Sequence, residues 1–525
     1  MIGKNIIGAS LSGQGKEIFY GENPSTGQKL EPGFYEATQQ EINSAIEKAA
    51  VAFQHYRNVS GKDKAAFLEA IGEEIVALGE ELITRCTQET GLPEARLLGE
   101  RGRTVGQLKL FANLLREGSW VDARIDTAEP DRKPLPRPDI RSMQKALGPV
   151  GVFGASNFPL AFSVAGGDTV SALAAGCPVI FKAHPAHPGV CELVGLAIQR
   201  AVKKSGMPEG TFSMINGKST EVGLALVRHP AITAIGFTGS YRGGKALFDE
   251  ANKRPVPIPV YAEMGSTNPV FILPDALKER KEKIAQDLAA AVTLGVGQFC
   301  TNPGLVFIQN SADGSQFKDA LSTSIRGISA GVMLTSGIQN SYQKGVEKLS
   351  GTKGVNVLAK GMTEGSGSRG TAHLLHASIE SFLNDHTLEE EVFGPSTLAI
   401  TANTKSELLQ AAKNLNGHIT ATLHATDKDL NEYADLIAIL EQKVGRLIIN
   451  GYPTGVEVCQ AIVHGGPFPA TTDSRSTSVG TGAISRFTRP VCYQNFPSSL
   501  LPAELQENNP LGIWRLVNGE RQKNA

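Results

Sequence analysis

The 525-residue sequence has little cysteine, almost no net charge and no long apolar run. Its six cysteines show no paired spacing, which favours a reduced, cytoplasmic compartment over a disulfide framework. Lys and Arg number 51 against 52 Asp and Glu, and no basic tract is present, so we expect neither nucleic acid nor a membrane surface as a partner. We also expect no membrane span, no secretory leader and no metal, because CxxC, HExxH and clustered His/Cys patterns are missing.

What the chain does have is length and a repeating α/β rhythm. A chain of 525 residues is too long to fold around a single hydrophobic core, so two or three domains are expected. Helical patterns over 38–90 and 94–117 come first, and short apolar runs then alternate with helical segments over 148–240 and 268–451. Apolar strands that are each followed by a helix are typical of parallel sheets covered on both faces. We therefore predict an α/β fold with two such domains.

One cysteine stands at a chain reversal. The sequence GVGQFCTNPG, residues 295–304, places Cys300 between a helical run and an Asn-Pro-Gly breaker, where a side chain is presented rather than packed. A thiol becomes nucleophilic when nearby positive potential stabilises its thiolate. A buried structural cysteine is the alternative that this motif alone leaves open.

Two other polar side chains follow apolar strands. Glu263 ends the stretch VYAE, and a carboxylate at the C-terminal end of a strand lies where α/β enzymes keep their sites. If partly desolvated, such a carboxylate acts as a base near neutral pH. Asn157 in GASNFPL follows a strand in the same way, and its amide can donate to an oxyanion. A surface glutamate and a turn-forming asparagine are the ordinary alternatives.

The order of these motifs resembles that of the aldehyde dehydrogenase superfamily over about residues 20–500. The motifs that carry the resemblance are SNFP at Asn157, KAHPAHPG from Lys182, the FTGS turn at 237–240, AEMG at Glu263, GQFCT at Cys300 and EEVFGP at 390–395. Taken alone, the glycine-rich turn is weak, because it departs from GxGxxG. HPAHPG, GQFCTNPG and GYPTGVEV, together with HGGPFPATTDSRSTSVG, look like the branch that contains 2,5-dioxovalerate (α-ketoglutarate semialdehyde) dehydrogenases and a fatty aldehyde dehydrogenase.

The resemblance implies an activity and roles for the motif residues. Cys300 would attack the aldehyde carbon to form a thiohemiacetal, and the amide of Asn157 with the N–H of the cysteine would hold the oxyanion. Hydride transfer to NAD(P) would give a thioester, which water activated by Glu263 would hydrolyse to a carboxylate. His464 stands in the segment 463–480, which replaces the usual Gly-Gly-x-Lys-x-Ser segment of the family. It is a candidate for proton transfer, and a solvent-facing loop histidine is the alternative.

The resemblance also implies how the cofactor is bound. Lys182 would bond the adenosine ribose and Glu391 the nicotinamide ribose, while Phe393 would wall the nicotinamide ring. Gly239 and Ser240 would border the pyrophosphate.

One departure from the family bears on the choice between NAD and NADP. Members that prefer NAD often carry a glutamate three residues after the lysine, and this chain has Pro185 there. The missing carboxylate removes repulsion against a 2′-phosphate, and Lys245 at the start of the following helix is a positive partner for it. This favours NADP, or the use of both cofactors; an uncharged pocket that merely tolerates both is the alternative.

Two arginines are candidates for binding a carboxylated aldehyde, because a guanidinium binds a carboxylate bidentately. Arg475, in the loop expected near the tunnel mouth, is expected to bind the distal carboxylate, and Arg103 lies on the expected entry helix. The expected reaction is oxidation of 2,5-dioxopentanoate to 2-oxoglutarate. Ion pairs with neighbouring acidic residues are the alternative for both arginines.

Other functions stay open as alternatives. Long-chain fatty aldehydes would suit an apolar tunnel. A CoA-acylating enzyme is disfavoured because Glu263 supplies a base for water, and a cysteine hydrolase is disfavoured by the cofactor motifs.

The resemblance further implies the domain limits. We expect a Rossmann-type cofactor domain from 1–124 and 147–266 and an α/β catalytic domain from 267–465. A small β oligomerisation arm and C-terminal segment would comprise 125–146 and 466–505, followed by a surface tail, 506–525. An arm strand that extends a neighbour's sheet by edge pairing predicts a homodimer or tetramer.

Overall fold

The computed structural model describes residues 1–523, and much of its N-terminal half surrounds one seven-stranded sheet. In chain order, its five parallel strands are arranged 5-4-1-2-3, which is the doubly wound arrangement. Two short strands near the N-terminus, Asn5–Ile7 and Ser10–Ser12, form a hairpin that extends the sheet. Asn5–Ile7 pairs antiparallel with the parallel strand Phe212–Ile215. From edge to edge the strands are Val260–Glu263, Ala234–Thr238, Val150–Phe153, Val179–Lys182, Phe212–Ile215, Asn5–Ile7 and Ser10–Ser12.

The helices of this half confirm the predicted α/β class and refine its first helical region. The pattern over 38–90 is three helices, because the chain breaks after Tyr56 and again at Gly79, whose φ is +56°. The hydroxyl of Ser60 starts the second helix by accepting a hydrogen bond from the N–H of Asp63. The helices are Gln39–Tyr56, Gly61–Ala77, Gly79–Thr90, Glu94–Glu117, Gly167–Ala175, Pro188–Lys204, Thr220–Arg228 and Tyr241–Asn252.

A second seven-stranded sheet forms the other α/β body. All of its neighbouring strands run parallel except the first pair, and the sequence pattern predicted three of the seven. The strands in order are Val355–Lys360, His373–Ser378, Ser396–Ala402, Leu305–Gln309, Val270–Ile272, His418–His424 and Val444–Ile449. The helices are Pro274–Thr293, Ala312–Arg326, Ser336–Gly351, Ile379–Asn384, Lys405–Asn414, Asp427–Glu432 and Ala434–Leu440.

A five-stranded sheet forms an arm, and it corrects the expectation of a surface tail at 506–525. Arg515–Val517 pairs in parallel with Arg124–Asp126, and Ile513 packs into the core of the arm. The tail was misjudged because its few apolar residues are separated by polar ones; residues 524–525 lie outside the described residues. The strands in order are Thr488–Gln494, Ile140–Ala146, Arg124–Asp126, Arg515–Val517 and Glu520–Gln522.

Smaller elements complete the described chain. The residues expected to be only turn-rich near the N-terminus include a hairpin of Ile18–Asn23 with Gln28–Tyr35. A second two-stranded pair is Gly331–Val332 with Arg369–Gly370. The 3₁₀ turns are Ser119–Val121, Leu294–Gly297, His386–Glu389, Thr481–Phe487, Ser498–Leu500 and Ala503–Leu505.

Two further findings on residues 1–523 concern the cysteines and the helices. All six cysteines are free thiols, three of them buried. Over the same residues, no helix has both the length and the apolar character that crossing a bilayer requires.

Candidate active site

A loop from the C-terminal part of the chain folds across the strand end that carries Glu263. The N–H of Met264 donates to the carbonyl of Ala470 at 2.8 Å. The same loop places Nε2 of His464 2.9 Å from Oε1 of Glu263, and Oγ of Ser478 donates to Oε2 at 2.6 Å. Both carboxylate oxygens are therefore held by a segment about 200 residues further along the chain, and Glu263 is buried.

Cys300 reaches the same cluster from a different direction. It follows the turn Leu294–Gly297, in which Gly295 and Val296 adopt positive φ angles of 55° and 59°. Its Sγ lies 3.5 Å from Nε2 of His464, and the thiol, imidazole and carboxylate atoms all lie within 4.8 Å of one another. Cys300 is partly exposed as a residue whereas Glu263 and His464 are buried, so the cluster lies nearest to solvent on the side of Cys300.

The electrostatics of the cluster correct the expectation of a thiolate stabilised by positive potential. Burial and the Glu263 carboxylate raise the pKa of the Cys300 thiol well above its usual range. Burial also acts to raise the pKa of Glu263, but the neighbouring His464 and hydrogen bonds from His464, Ser478 and Cys300 outweigh it, so that pKa is lowered. Both pKa shifts favour a neutral thiol next to an ionised carboxylate. A proton acceptor is therefore in contact with the thiol.

Asn157 is joined to the segment that precedes the thiol. Its Nδ2 donates to the carbonyl of Gln298 at 3.0 Å, and its own carbonyl accepts from the guanidinium of Arg96 at 2.8 Å. Arg96 also lies 5.1 and 5.0 Å from the ring centres of Phe158 and Phe299. Arg96 thus links the amide segment to the thiol segment. The sequence showed it only as one of several arginines on the helix 94–117.

A buried asparagine fixes the turn that carries the thiol. Nδ2 of Asn268 donates to the carbonyls of Cys300 and Asn302 at 2.8 and 2.9 Å, and its Oδ1 accepts from Ser266 and Thr420, both at 3.0 Å. Asn268 is fully buried and has a φ of +46°, a conformation that asparagine tolerates better than most residues. Sequence reasoning missed it, because the stretch near 264–268 read only as a join between domains.

Arg103 lies on the helix Glu94–Glu117 and contacts two aromatic rings. Its guanidinium stacks 5.8 and 5.4 Å from the ring centres of Phe158 and Phe162. Its charge partly offsets the rise in the pKa of Cys300 that burial and Glu263 cause. Nε of Arg103 is buried without a hydrogen-bond partner among residues 1–523. The side chain therefore has a free donor, and its charge acts on the thiol.

Arg475 has a different environment. About 92% of its side-chain surface is exposed, and its Nε lies 3.5 Å from Oδ1 of Asp473. Among the described residues, it has no hydrogen bond or ion pair with Cys300, Glu263 or His464. The two arginines predicted from the sequence are thus not equivalent, since only Arg103 acts on the thiol in the resting structure.

A cleft of about 650 Å³ opens at the carboxyl ends of the parallel strands of the first sheet. Four of the residues predicted to bind the cofactor line it: Lys182, Pro185, Gly239 and Ser240. Ser240 caps the helix Tyr241–Asn252 by accepting from the N–H of Gly243, so a helix N-terminus faces the cleft, as suits a phosphate group. Burial lowers the pKa of Lys182 to about 8.

The lysine that lines this cleft is not the one predicted from the sequence. Lys245 does not line the cleft and forms an ion pair with Asp249 one helical turn away, at 2.6 Å. Lys218 lines the cleft instead. It follows the carboxyl end of the strand Phe212–Ile215, and that position relative to a parallel strand was the signal that sequence reasoning could have used.

Glu391 and Phe393 lie beyond the first cleft. Glu391 lines a second cavity, of about 570 Å³, and Ser240 is common to the walls of both cavities. Phe393 is half-buried two residues later. The structure therefore places Glu391 on a path that continues from the proposed pyrophosphate position.

Sequence comparisons assign the chain a family. The sequence profile described as "Aldehyde dehydrogenase family" matches residues 11–467. A protein named "Alpha-ketoglutaric semialdehyde dehydrogenase 2" from Azospirillum brasilense is 51% identical over 523 residues, which cover 99% of this chain and 100% of the relative. An "Alpha-ketoglutaric semialdehyde dehydrogenase" from Acinetobacter baylyi is 50% identical over 492 residues, or 94% of this chain and 93% of the relative.

Solved structures confirm the fold at lower identity. An aldehyde dehydrogenase from Bacillus cereus, solved as an NAD+ complex, superposes with a TM-score of 0.79 at 21% identity, covering 94% of this chain and 96% of that one. A methylmalonate-semialdehyde dehydrogenase from Oceanimonas doudoroffii gives a TM-score of 0.80 at 18% identity, covering 95% and 99%. The predicted family and fold class are both confirmed.

Replacing Asn268 should loosen the turn that carries Cys300. In Asn268→Ala, two buried carbonyls lose their donor, at a cost of about 1–3 kcal/mol each. We expect a lower unfolding midpoint and an iodoacetamide reaction rate at Cys300 that changes by about threefold or more. Thr420→Val is the matched control, because it removes one bond to Oδ1 and leaves both carbonyl bonds in place. An unchanged alkylation rate in Asn268→Ala would show that the turn holds its shape without this side chain.

Proposed function

The chain belongs to the aldehyde dehydrogenase family, and from that premise we propose that it oxidises 2,5-dioxopentanoate, a carboxylated aldehyde, to 2-oxoglutarate. The observation that carries the proposal is the thiol of Cys300, which has a carboxylate in contact and the guanidinium of Arg103 at hand. The thiol and the carboxylate suit aldehyde oxidation, and the guanidinium suits a substrate with a distal carboxylate. The two semialdehyde dehydrogenases that share half of this sequence support the same substrate.

The cleft at the strand ends fits the nicotinamide cofactor that the family uses. Its volume of about 650 Å³ is within the common range for ligand sites, roughly 300–1,000 Å³. Lys182 would bind the adenosine ribose, and the helix capped by Ser240 would receive the pyrophosphate. Glu391 would bind the second ribose, with Phe393 against the ring. When bound, the cofactor accepts the hydride that the substrate carbon loses.

The side chains of this protein move the protons in each step. As Sγ of Cys300 bonds to the aldehyde carbon, the thiol proton passes to Glu263, and N–H groups of Asn157 and Cys300 stabilise the oxyanion. Loss of hydride leaves a thioester. Glu263 first releases the thiol proton to solvent and is ionised again. It then takes a proton from a water molecule, which attacks the thioester carbon, and the carbon–sulfur bond breaks. Glu263 returns its proton to the sulfur of Cys300, and the acid product loses its own proton to solvent and leaves as a carboxylate.

His464 is proposed as the proton-transfer partner of this carboxylate. Its Nε2 lies 2.9 Å from Glu263 and 3.5 Å from Cys300, so it contacts both groups between which the proton moves. A backbone bond from its N–H to Oγ1 of Thr477, at 2.9 Å, holds the loop in this position.

Removing the carboxylate tests the reaction itself. Glu263→Gln should lower steady-state turnover by roughly 10²–10⁴-fold, because the thiol and the water both lose their proton acceptor. Ser478→Ala is the matched control, since it deletes one hydrogen bond to Glu263 and keeps the charge; we expect less than about a tenfold loss. The assay follows reduced-cofactor absorbance with 2,5-dioxopentanoate, succinic semialdehyde and hexanal. Wild-type turnover in Glu263→Gln, or a clear preference of the wild type for hexanal, would contradict the proposal; the latter would favour a fatty aldehyde dehydrogenase.

Arg103 is the arginine that we propose for the distal carboxylate. Arg103→Met keeps an apolar side chain between the two phenylalanines but removes the charge. We expect KM for 2,5-dioxopentanoate to rise about 10- to 100-fold, as loss of one charged hydrogen-bonding group predicts, with little change for pentanal. Arg103→Lys should recover part of the loss. Arg475→Ala is the comparison, and a larger effect there than in Arg103→Met would move carboxylate binding to the loop.

We propose that the enzyme prefers NADP over NAD. Pro185 leaves the ribose position without a carboxylate, and Lys218 in the same cleft supplies a positive charge. Glu22 also lines the cleft and reduces this positive potential. Lys245, which the sequence predicted as the partner of the 2′-phosphate, forms an ion pair with Asp249 instead.

The cofactor preference can be measured directly. Lys218→Met should raise KM for NADP by about tenfold and leave KM for NAD nearly unchanged, because only NADP carries the 2′-phosphate. Lys245→Met is the matched control and should alter neither value by more than about twofold. Equal effects on both cofactors, or a wild-type enzyme that strongly prefers NAD, would contradict the assignment.

We propose a homodimer or tetramer in the cytoplasm. The strand Thr488–Gln494 is an edge of the arm sheet, and an edge strand can pair with a second copy. Phe496 and Leu500, which follow it, are exposed apolar residues. Six free thiols suit a reducing compartment.

A further inference from the structure

The cluster around Cys300 combines three side chains that bind zinc. Thiolate sulfur, imidazole nitrogen and carboxylate oxygen are all ligands of Zn²⁺, and a tetrahedral site with three protein ligands keeps one open position. Bonds of about 2.0–2.3 Å at tetrahedral angles separate neighbouring ligand atoms by roughly 3.3–3.6 Å. Here Sγ of Cys300 lies 3.5 Å from Nε2 of His464, and that nitrogen lies 2.9 Å from Oε1 of Glu263. The sulfur–nitrogen distance thus already fits a zinc site, the nitrogen–oxygen distance is shorter than a zinc site needs, and all three ligand atoms lie within 4.8 Å of one another. Small side-chain movements would bring the three atoms to zinc-binding distances.

From this geometry we propose that Zn²⁺ binds reversibly to Cys300, His464 and Glu263 and blocks the enzyme. The metal takes the place of the thiol proton, which passes to solvent, and a water molecule fills the fourth position. Soft thiolate and imidazole ligands favour zinc over magnesium or calcium. The inhibitory role rests on the proposed function, whereas metal binding itself does not.

The groups around the cluster suit metal binding. Ser478 donates to Oε2 of Glu263 at 2.6 Å, which orients the carboxylate and leaves Oε1 for the metal. Nδ1 of His464 is buried and has no hydrogen-bond partner among the described residues. It belongs to the wall of a cavity of about 10 Å³, close to the minimum for one water molecule, that Asp473 and Ser476 also line. A water there would accept the Nδ1 proton of a histidine that binds the metal through Nε2.

Two features of the site determine how a zinc ion reaches the cluster and how tightly it binds. Cys300 is partly exposed, so an ion reaches the cluster by way of the thiol. The charge of Arg103 acts on Cys300 and Glu263 and therefore opposes a cation at this position. Removing that charge should weaken the proposed substrate binding but strengthen zinc binding. A zinc ion held by a surface thiol elsewhere would not respond in this way.

The test measures metal binding without any substrate. Cys459→Ser/Cys492→Ser serves as the parent protein, because it removes the other two thiols that are not buried. Cobalt(II) is the spectroscopic probe and zinc is titrated against a chromogenic chelator. We expect one ion per chain, a thiolate-to-cobalt charge-transfer band, and intense visible bands typical of tetrahedral cobalt. His464→Asn should weaken zinc binding by about tenfold or more, and Cys300→Ser should abolish the charge-transfer band. Arg103→Met should tighten zinc binding by about threefold or more.

The outcomes separate this inference from the proposed function. Zinc should inhibit aldehyde oxidation by the parent protein, in competition with the aldehyde, and a chelator should restore activity. A parent protein that binds no metal, or one whose zinc affinity is unchanged in His464→Asn, would overturn the inference whether or not the enzyme oxidises aldehydes. If His464-dependent metal binding is seen in a protein that oxidises none of the tested aldehydes, the proposed function fails and the metal site stands.

Discussion

The pairing of Glu263 with His464 and Ser478 is the interaction on which the rest of the site depends. One carboxylate has both oxygens bound by a loop from the far end of the chain. Those contacts lower the pKa of Glu263 despite its burial. A buried carboxylate without such partners would hold its own proton and would serve poorly as a base. The role that we propose for Glu263 as the proton acceptor of Cys300 therefore depends on His464 and Ser478.

Rigid support for this arrangement comes from both sheets. Asn268, next to the strand Val270–Ile272, fixes the turn of the thiol, and Arg96 ties that turn to the segment of Asn157. These contacts hold the segment of Cys300, the proposed nucleophile, and that of Asn157, the proposed oxyanion donor, against each other. Preorganised donors of this kind avoid reorganisation during reaction, which is where much enzymatic rate enhancement originates. Loop residues that look ordinary in sequence thus determine whether the site is assembled.

The sequence predicted the parts that follow simple rules and missed those that depend on distant contacts. Strands such as Val150–Phe153 were predicted because apolar runs followed by helices are readily recognised. The roles of Cys300, Glu263 and Asn157 came from the resemblance to a family, because the local position of each residue also suited an ordinary structural residue. The partnership of Glu263 with Ser478 spans more than 200 residues, and no local pattern encodes it. Lys245 was chosen over Lys218 because it starts the helix after the glycine-rich turn, although Lys218 follows the carboxyl end of a strand and lines the cleft.

The interleaved order of the arm sheet has a consequence for how the chain folds. Ile140–Ala146 pairs with Thr488–Gln494, and Arg124–Asp126 pairs with Arg515–Val517, although each pair is separated by several hundred residues in the chain. Strands so far apart in sequence close a very long loop when they pair, which makes such pairing slow. Until these strands pair their edges stay open, and open edges in partly folded chains are prone to association. The segment that carries His464 and Ser478 leads into Thr488–Gln494, so pairing of that strand also limits how far this segment can move away from Glu263.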